Sequence, residues 1–164
     1  PERVAVTLKG RSRIPPLDWI EISKTVSLRR DSAAIEVEQR YFNHPDSMGA
    51  IAVRPWIHHE VEGLGKEARY VMPLTTGRHL IRVPADRSDA RYGANPSHGW
   101  LGVFEPGGNG MICFPEYRRI AQYYEWVSTT VGTLEWFLHP VEVPHGDRSM
   151  PHAQMGRHTI SPSG

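Results

Sequence analysis

Ten residues, RPWIHHEVEG at positions 54–63, hold a guanidinium, an indole, two adjacent imidazoles and two carboxylates. Imidazoles and carboxylates move protons near neutral pH, and a cation beside an indole can hold a polar ring on an aromatic face. If residues 51–62 form one strand, successive side chains point to opposite faces. Ile51, Val53, Pro55, Ile57, His59 and Val61 then share a largely apolar face. Ala52, Arg54, Trp56, His58, Glu60 and Glu62 share the other. Sugars suit that second face, because C–H surfaces lie on indole while hydroxyls meet charged donors and acceptors. The same residues also fit a strand with a solvated outer face, or a metal site begun by His58 and Glu60. His59, among apolar neighbours, reads as a hydrogen-bonded core histidine.

A second stretch, GTLEWFLHP at 132–140, passes the same test. Leu134, Trp136 and Leu138 fall on one side, and Thr133, Glu135, Phe137 and His139 on the other. The apolar triplet marks the buried side and leaves Glu135 beside an aromatic and near an imidazole. A carboxylate so placed can act as a base, or can simply belong to a solvated edge. Two separate strands therefore each offer a carboxylate, a histidine and an aromatic on one face.

The elements that must carry these residues are mostly strands. Fourteen prolines and 15 glycines are spread along the 164 residues, which suits many short strands and opposes long helices. Val4, Val6 and Leu8 alternate in VAVTLKG. KTVSLRR and AAIEVEQRYFN flank Asp31 and Ser32 as a hairpin. GRSRIPPLDW reads as a loop leading to Trp19. GAIAVRPWIHHEV follows the turn NHPDSMG, and GRHLIRVP is a further strand. GWLGVFEP and GMICFP form a hairpin through GGN, and GTLEWFLHPVEVP closes the ordered part. EYRRIAQYYEWVS fits either a helix or an aromatic strand. The expected fold is mainly β, an antiparallel sandwich with few or no helices, over residues 1–147. Residues 148–164 are expected to form a polar C-terminal tail.

Charge narrows the partners. Lys plus Arg is 19 and Asp plus Glu is 18, a net +1 that gives no field for nucleic acid or anionic membrane. No apolar run approaches the roughly 20 residues of a membrane-spanning helix. The single cysteine, Cys113, excludes an intrachain disulfide and reads as a small core residue. The chain starts at Pro1 without a signal-like stretch, as a processed or excised chain does, and the compartment stays open.

IEVEQRYFNHPDSMGAIAVRPWIHHEV and GTLEWFLHPVEVPHGD resemble segments of galactose mutarotase-like proteins. In that family a strand ends in an Asn-containing turn and the next strand brings a histidine to the sugar site. A later glutamate-bearing strand is followed by a strand ending in a Pro-Gly-type turn. The resemblance spans roughly residues 25–62 and 98–147. It implies a β-supersandwich, used by aldose epimerases and recurring in glycoside hydrolases, phosphorylases and polysaccharide lyases. It implies His58 as general acid, with His59 the neighbouring alternative, and Glu135 as general base on opposite sides of one sugar. Trp56 would stack on the ring and Arg54 orient hydroxyls, with Glu60, Phe137 and His139 as further sugar contacts. Such chemistry needs no cofactor and no metal. Two departures stand out: the Pro-Tyr that commonly follows the family's histidine is replaced by His59 and Glu60, and epimerase domains are longer. The rest of the double sheet would come from another copy, as a homo-oligomer, or from a larger parent chain.

The expectation is thus a carbohydrate-active protein whose partner is a sugar or glycan, with epimerase-type isomerase chemistry. Other classes remain beside it: a non-catalytic sandwich module that binds glycan or protein, or a cupin-like metal protein adding His98, His139 and His145 to His58 and Glu60. Glycoside hydrolysis would need two carboxylates at a set separation. YRRIAQYYEW, which mixes arginines with aromatics, has the weaker look of a single-strand nucleic-acid surface.

Overall fold

The computed structural model describes residues 2–62, 67–82, 89–94, 96–107, 110–127, 131–144, 146 and 153–163. Its strands begin with β1 (Arg3–Arg11), β2 (Ile20–Arg29) and β3 (Ile35–Asn43). Next come β4 (Ile51–Val53), β5 (Trp56–Glu62), β6 (Arg69–Leu74), β7 (Gly77–Arg82) and β8 (Asp89–Ala94). The series ends with β9 (Leu101–Phe104), β10 (Gly110–Pro115), β11 (Ile120–Val127), β12 (Val131–Leu138), β13 (Val141–Val143) and β14 (Ala153–Ser163). Two single 3-10 turns, Leu17–Trp19 and Tyr117–Arg119, are the helical elements among the described residues. None is long and apolar enough to cross a membrane.

The paired strands are antiparallel, in three sheets: a large one ordered β1-β2-β3-β14-β10-β9-β6-β7, a second ordered β5-β12-β11-β8, and the pair β13-β4. This is a mainly β sandwich. Its main core lies between the second sheet and the β6, β9 and β10 part of the first. Ile57, Leu134, Trp136, Leu138 and Tyr123 pack there with Tyr70, Met72, Leu101, Val103 and Cys113. Burial pushes the Cys113 thiol up to about 12, as suits a core residue. A smaller core joins Ile20, Tyr41 and Val143 to Ile51, Val53 and Val141.

Several sequence expectations change here. EYRRIAQYYEWVS is a 3-10 turn followed by strand β11, because Tyr123 must lie opposite Trp136 in the core. Residues 51–62 are two strands in two sheets. Pro55 has no N–H to continue a ladder, and the chain passes at Arg54-Pro55 from β4 to β5. The partner chain breaks at the matching place, where His139-Pro140 separates β12 from β13. The Leu138 amide donates to the Pro55 carbonyl at 2.9 Å and ties the two breaks together.

The polar tail is corrected as well. Ala153–Ser163 is β14, which sits inside the large sheet between β3 and β10. Backbone pairing on both sides holds a strand whose composition gives little apolar signal, and Ile160 adds partial packing on the core. Val4, Val6 and Leu8 keep the expected alternation, yet they are 60%, 58% and 60% exposed. Strand β1 is the sheet edge, and no described segment covers that face.

Asn43, at the end of β3, is 1% exposed and ties that end to the β4 and β13 side of the small core. Its Nδ2 donates to the Gly49 carbonyl at 2.7 Å and to the Val143 carbonyl at 3.4 Å. Asn43→Ala strands both acceptors, and urea unfolding followed by tryptophan fluorescence should show a loss of about 1–3 kcal/mol. A loss below about 0.5 kcal/mol would mean that these bonds do not hold the β3 end to β4 and β13.

Candidate functional site

Strand β12 lies between β5 and β11, so each of its residues has a cross-strand neighbour on both sides. Glu135 stands opposite His58 on β5 and Tyr124 on β11. Along β12 itself, Thr133 and Phe137 flank it on the same face. Four side chains thus surround one carboxylate. Glu135 is only 1% exposed although it points away from the main core.

A carboxylate taken out of water needs partners. The Thr133 hydroxyl, buried with it, donates a very short hydrogen bond to Oε1. The second oxygen, Oε2, lies 3.3 Å from His58 Nδ1. That approach is within ion-pair range, but the angles do not make it a hydrogen bond, and Oε2 has no hydrogen-bonded partner.

His58 reaches from this buried oxygen toward solvent. Its side chain is 40% exposed, and Nε2 stands 3.6 Å from Glu60 Oε1, itself largely exposed. Nδ1 therefore faces the interior and Nε2 the outer surface. Around the imidazole lies an aromatic platform. Trp56 stacks on Phe137, with ring centroids 5.3 Å apart, and presents an edge to His58 at 5.9 Å and to Tyr124 at 6.3 Å. Trp56 is 53% exposed, so much of the platform is open. The Arg54 guanidinium lies 5.0 Å over the Phe137 ring.

The expected site residues divide accordingly. His58, Glu135, Trp56, Phe137, Glu60 and Arg54 share one face. His139 lies past the end of β12, exposed, with its amide donating to the Arg119 carbonyl at 2.9 Å. His58 and Glu135 touch each other, so no sugar fits between them as an acid and a base on opposite sides. Thr133 and Tyr124 enter beside them. Thr133 was visible on the Glu135 face, but its role needed the burial; Tyr124 needed the β11–β12 register.

The metal alternative finds no group of three or more His, Cys, Asp or Glu side chains among the described residues. His98 accepts or donates through Nδ1 with the Ser97 hydroxyl at 2.8 Å, while its carbonyl takes the Tyr123 hydroxyl. His145 lies outside the described residues. A depression of about 700 Å³ lies elsewhere: ion-paired Arg3, Glu36, Arg29 and Asp31 line it at the β1–β3 end.

No family model matches the chain, and no curated protein matches it. Solved structures do. A putative aldose 1-epimerase from Escherichia coli K12 superposes with a TM-score of 0.67 at 11% identity, over 97% of this chain and 64% of its own. A galactose mutarotase related enzyme from Lactobacillus acidophilus gives 0.61 at 12%, over 99% and 68%. The chain has a galactose mutarotase-like fold. A GH36 α-galactosidase from Geobacillus stearothermophilus contains it too, with a TM-score of 0.56 at 8% identity over 98% of this chain and 27% of the enzyme. At such identities the likeness is one of fold. The chain spans about two thirds of the two epimerase-type proteins.

Within this mutarotase-like fold the adjacent histidines separate cleanly. His58 faces the platform, while His59 faces the core side of β5 and packs 5.6 Å from the Trp136 ring. Burial, then the charges of Lys24 and His58, lower the His59 pKa from 6.5 to about 4. His59 is thus neutral at physiological pH and serves packing. Between pH 6.5 and 4 the unfolded chain binds a proton there that the folded chain refuses. The stability contributed by neutral His59 is complete above pH 6.5 and is lost as pH falls toward 4, on the order of 3 kcal/mol in all. Thermal melts at pH 7 and pH 4.5 should show a smaller acid loss for His59→Phe than for the parent chain. Equal losses in both would remove His59 as the source.

Proposed function

We propose that this chain is a carbohydrate-binding sandwich whose Trp56–Phe137 platform holds a sugar ring and whose His58 moves the proton of the anomeric hydroxyl. The observation that carries this reading is the 3.3 Å approach of His58 Nδ1 to the buried Glu135 Oε2. A proton held on Nδ1 by that carboxylate leaves the Nε2 lone pair directed outward. Glu135 is too deeply buried to meet a substrate; it is a positioning residue that fixes the tautomer and orientation of His58. Thr133 holds the carboxylate in turn.

The reaction is cofactor-free mutarotation of an aldose. Nε2 takes the proton from the anomeric hydroxyl as the bond from the anomeric carbon to the ring oxygen opens, and the ring oxygen takes a proton from water. Rotation about the bond from the anomeric to the adjacent carbon, then reclosure with the same transfers reversed, returns the other anomer. Arg54 and Glu60, at the rim of the platform, serve as hydrogen-bonding groups for ring hydroxyls, as Arg does where planar donors are needed. Two fold neighbours, the putative aldose 1-epimerase and the galactose mutarotase related enzyme, support the sugar reading.

A second reading, a module that binds sugar without acting on it, is favoured by one feature. The exposed Trp56 face needs no acid or base to hold a ring. Anomeric exchange measured by NMR across free hexoses and pentoses separates the two. Mutarotation predicts acceleration that His58→Ala lowers by about 10²–10⁴-fold. Glu135→Gln should lower the rate and move its pH profile while sugar affinity is kept. Binding without acceleration supports the module, and neither binding nor acceleration sinks both readings.

A further inference from the structure

A second hollow adjoins the platform. It has a volume of about 370 Å³, within the range of small-ligand pockets, and it lies where β2, β3 and β4 meet the Arg54-Pro55 break. Leu17, Ile22, Tyr41, Val53, Arg54 and Trp56 line it. Leu17 is 41% exposed and Ile22 38%, so two of the chain's solvent-facing aliphatic side chains converge here with the exposed Trp56. The hollow is continuous with the platform, because Arg54 and Trp56 belong to both.

The lining chooses the occupant. Its polar side-chain groups are few: the Arg54 guanidinium, the Trp56 indole N–H, and the Tyr41 and Ser12 hydroxyls. The Tyr41 hydroxyl donates to Gln39 Oε1 at 3.3 Å, and the Ser12 hydroxyl donates to the Ile14 carbonyl while accepting the Ile14 amide. The several hydroxyls of a second sugar ring would lose water there against too few partners to replace it. A short hydrocarbon chain would displace water from Leu17, Ile22 and Val53 at no such cost.

We propose that the preferred ligand is a reducing sugar bearing an apolar acyl or alkyl substituent away from its anomeric carbon, with the ring on Trp56 and Phe137 and the substituent in this hollow. The proposal rests on the sugar reading above and specifies its substrate class. Arg54, at the joint between hollow and platform, is placed to donate to the linking ester or ether oxygen. The free anomeric hydroxyl stays toward His58.

Calorimetric titration of the full chain decides it, with D-glucose and D-galactose and their 4-O- and 6-O-acetyl, butanoyl and hexanoyl esters. Affinity should rise by about fourfold for each added methylene until the hollow is filled. Leu17→Asp and Ile22→Thr, both at half-exposed positions and checked for folding by thermal melts, should abolish that rise while leaving the affinity for the unsubstituted sugar within a factor of two. Equal affinity for acetyl and hexanoyl esters, or a rise that survives in both variants, overturns the proposal while the sugar reading stands. Silence with every sugar and ester overturns the sugar reading and this one together. Binding of n-hexanol with sugars silent overturns the glycan assignment of the hollow.

Discussion

One buried carboxylate sets the terms for the outer face of the second sheet. Glu135 occupies an interior strand, at a position where both neighbouring strands present side chains to it. Burying a carboxyl group there costs desolvation, and Thr133 and His58 meet its two oxygens. That need explains why the two strands carry these residues in register. A shift of β5 by one residue would bring His59 and its core contacts to this face and send His58 into the core. The apolar side of β5 opposes such a slip, since Ile57, which packs in the core with Leu134 and Trp136 of β12, would leave the core with it. Core packing thus holds the register, and the register holds the polar pair.

Much of this was legible because alternation in a strand is strict. Glu135 and His58 fell on the face opposite Leu134, Trp136 and Ile57 as period two requires, and the hairpin at Asp31-Ser32 followed from its turn chemistry. Two kinds of information were not local. Which strands lie side by side is fixed by tertiary packing, so neither the burial of Glu135 nor its contact with Tyr124 was visible in GTLEWFLHP. An acid and a base read from separate strands seemed free to stand on opposite sides of a sugar; cross-strand pairing makes them neighbours instead. The C-terminal residues show the same limit. β14 is held by backbone bonds to β3 and β10, and such bonds leave little trace in hydrophobic pattern.

The break in the chain at Arg54-Pro55 was also hidden, since RPWI continues the alternation of residues 51–62 without a flaw. Its cause appears only with its counterpart at His139-Pro140. Two antiparallel strands that each meet a proline at the same level cannot keep pairing past it, and both leave the sheet together. The Leu138–Pro55 hydrogen bond closes the gap and fixes the turn.

That joint decides how the site is assembled. On one side of it the main core sets His58 and Glu135 through Ile57 and Trp136. On the other, the small core of Ile20, Tyr41 and Val143 sets β4, and through it the approach of Arg54. The outer face therefore draws its His58–Glu135 pair and its apolar hollow from two separately packed cores, linked by the paired prolines. A change in the small core can alter the shape of the hollow while the His58–Glu135 pair keeps its geometry, although Arg54 and Trp56 border both.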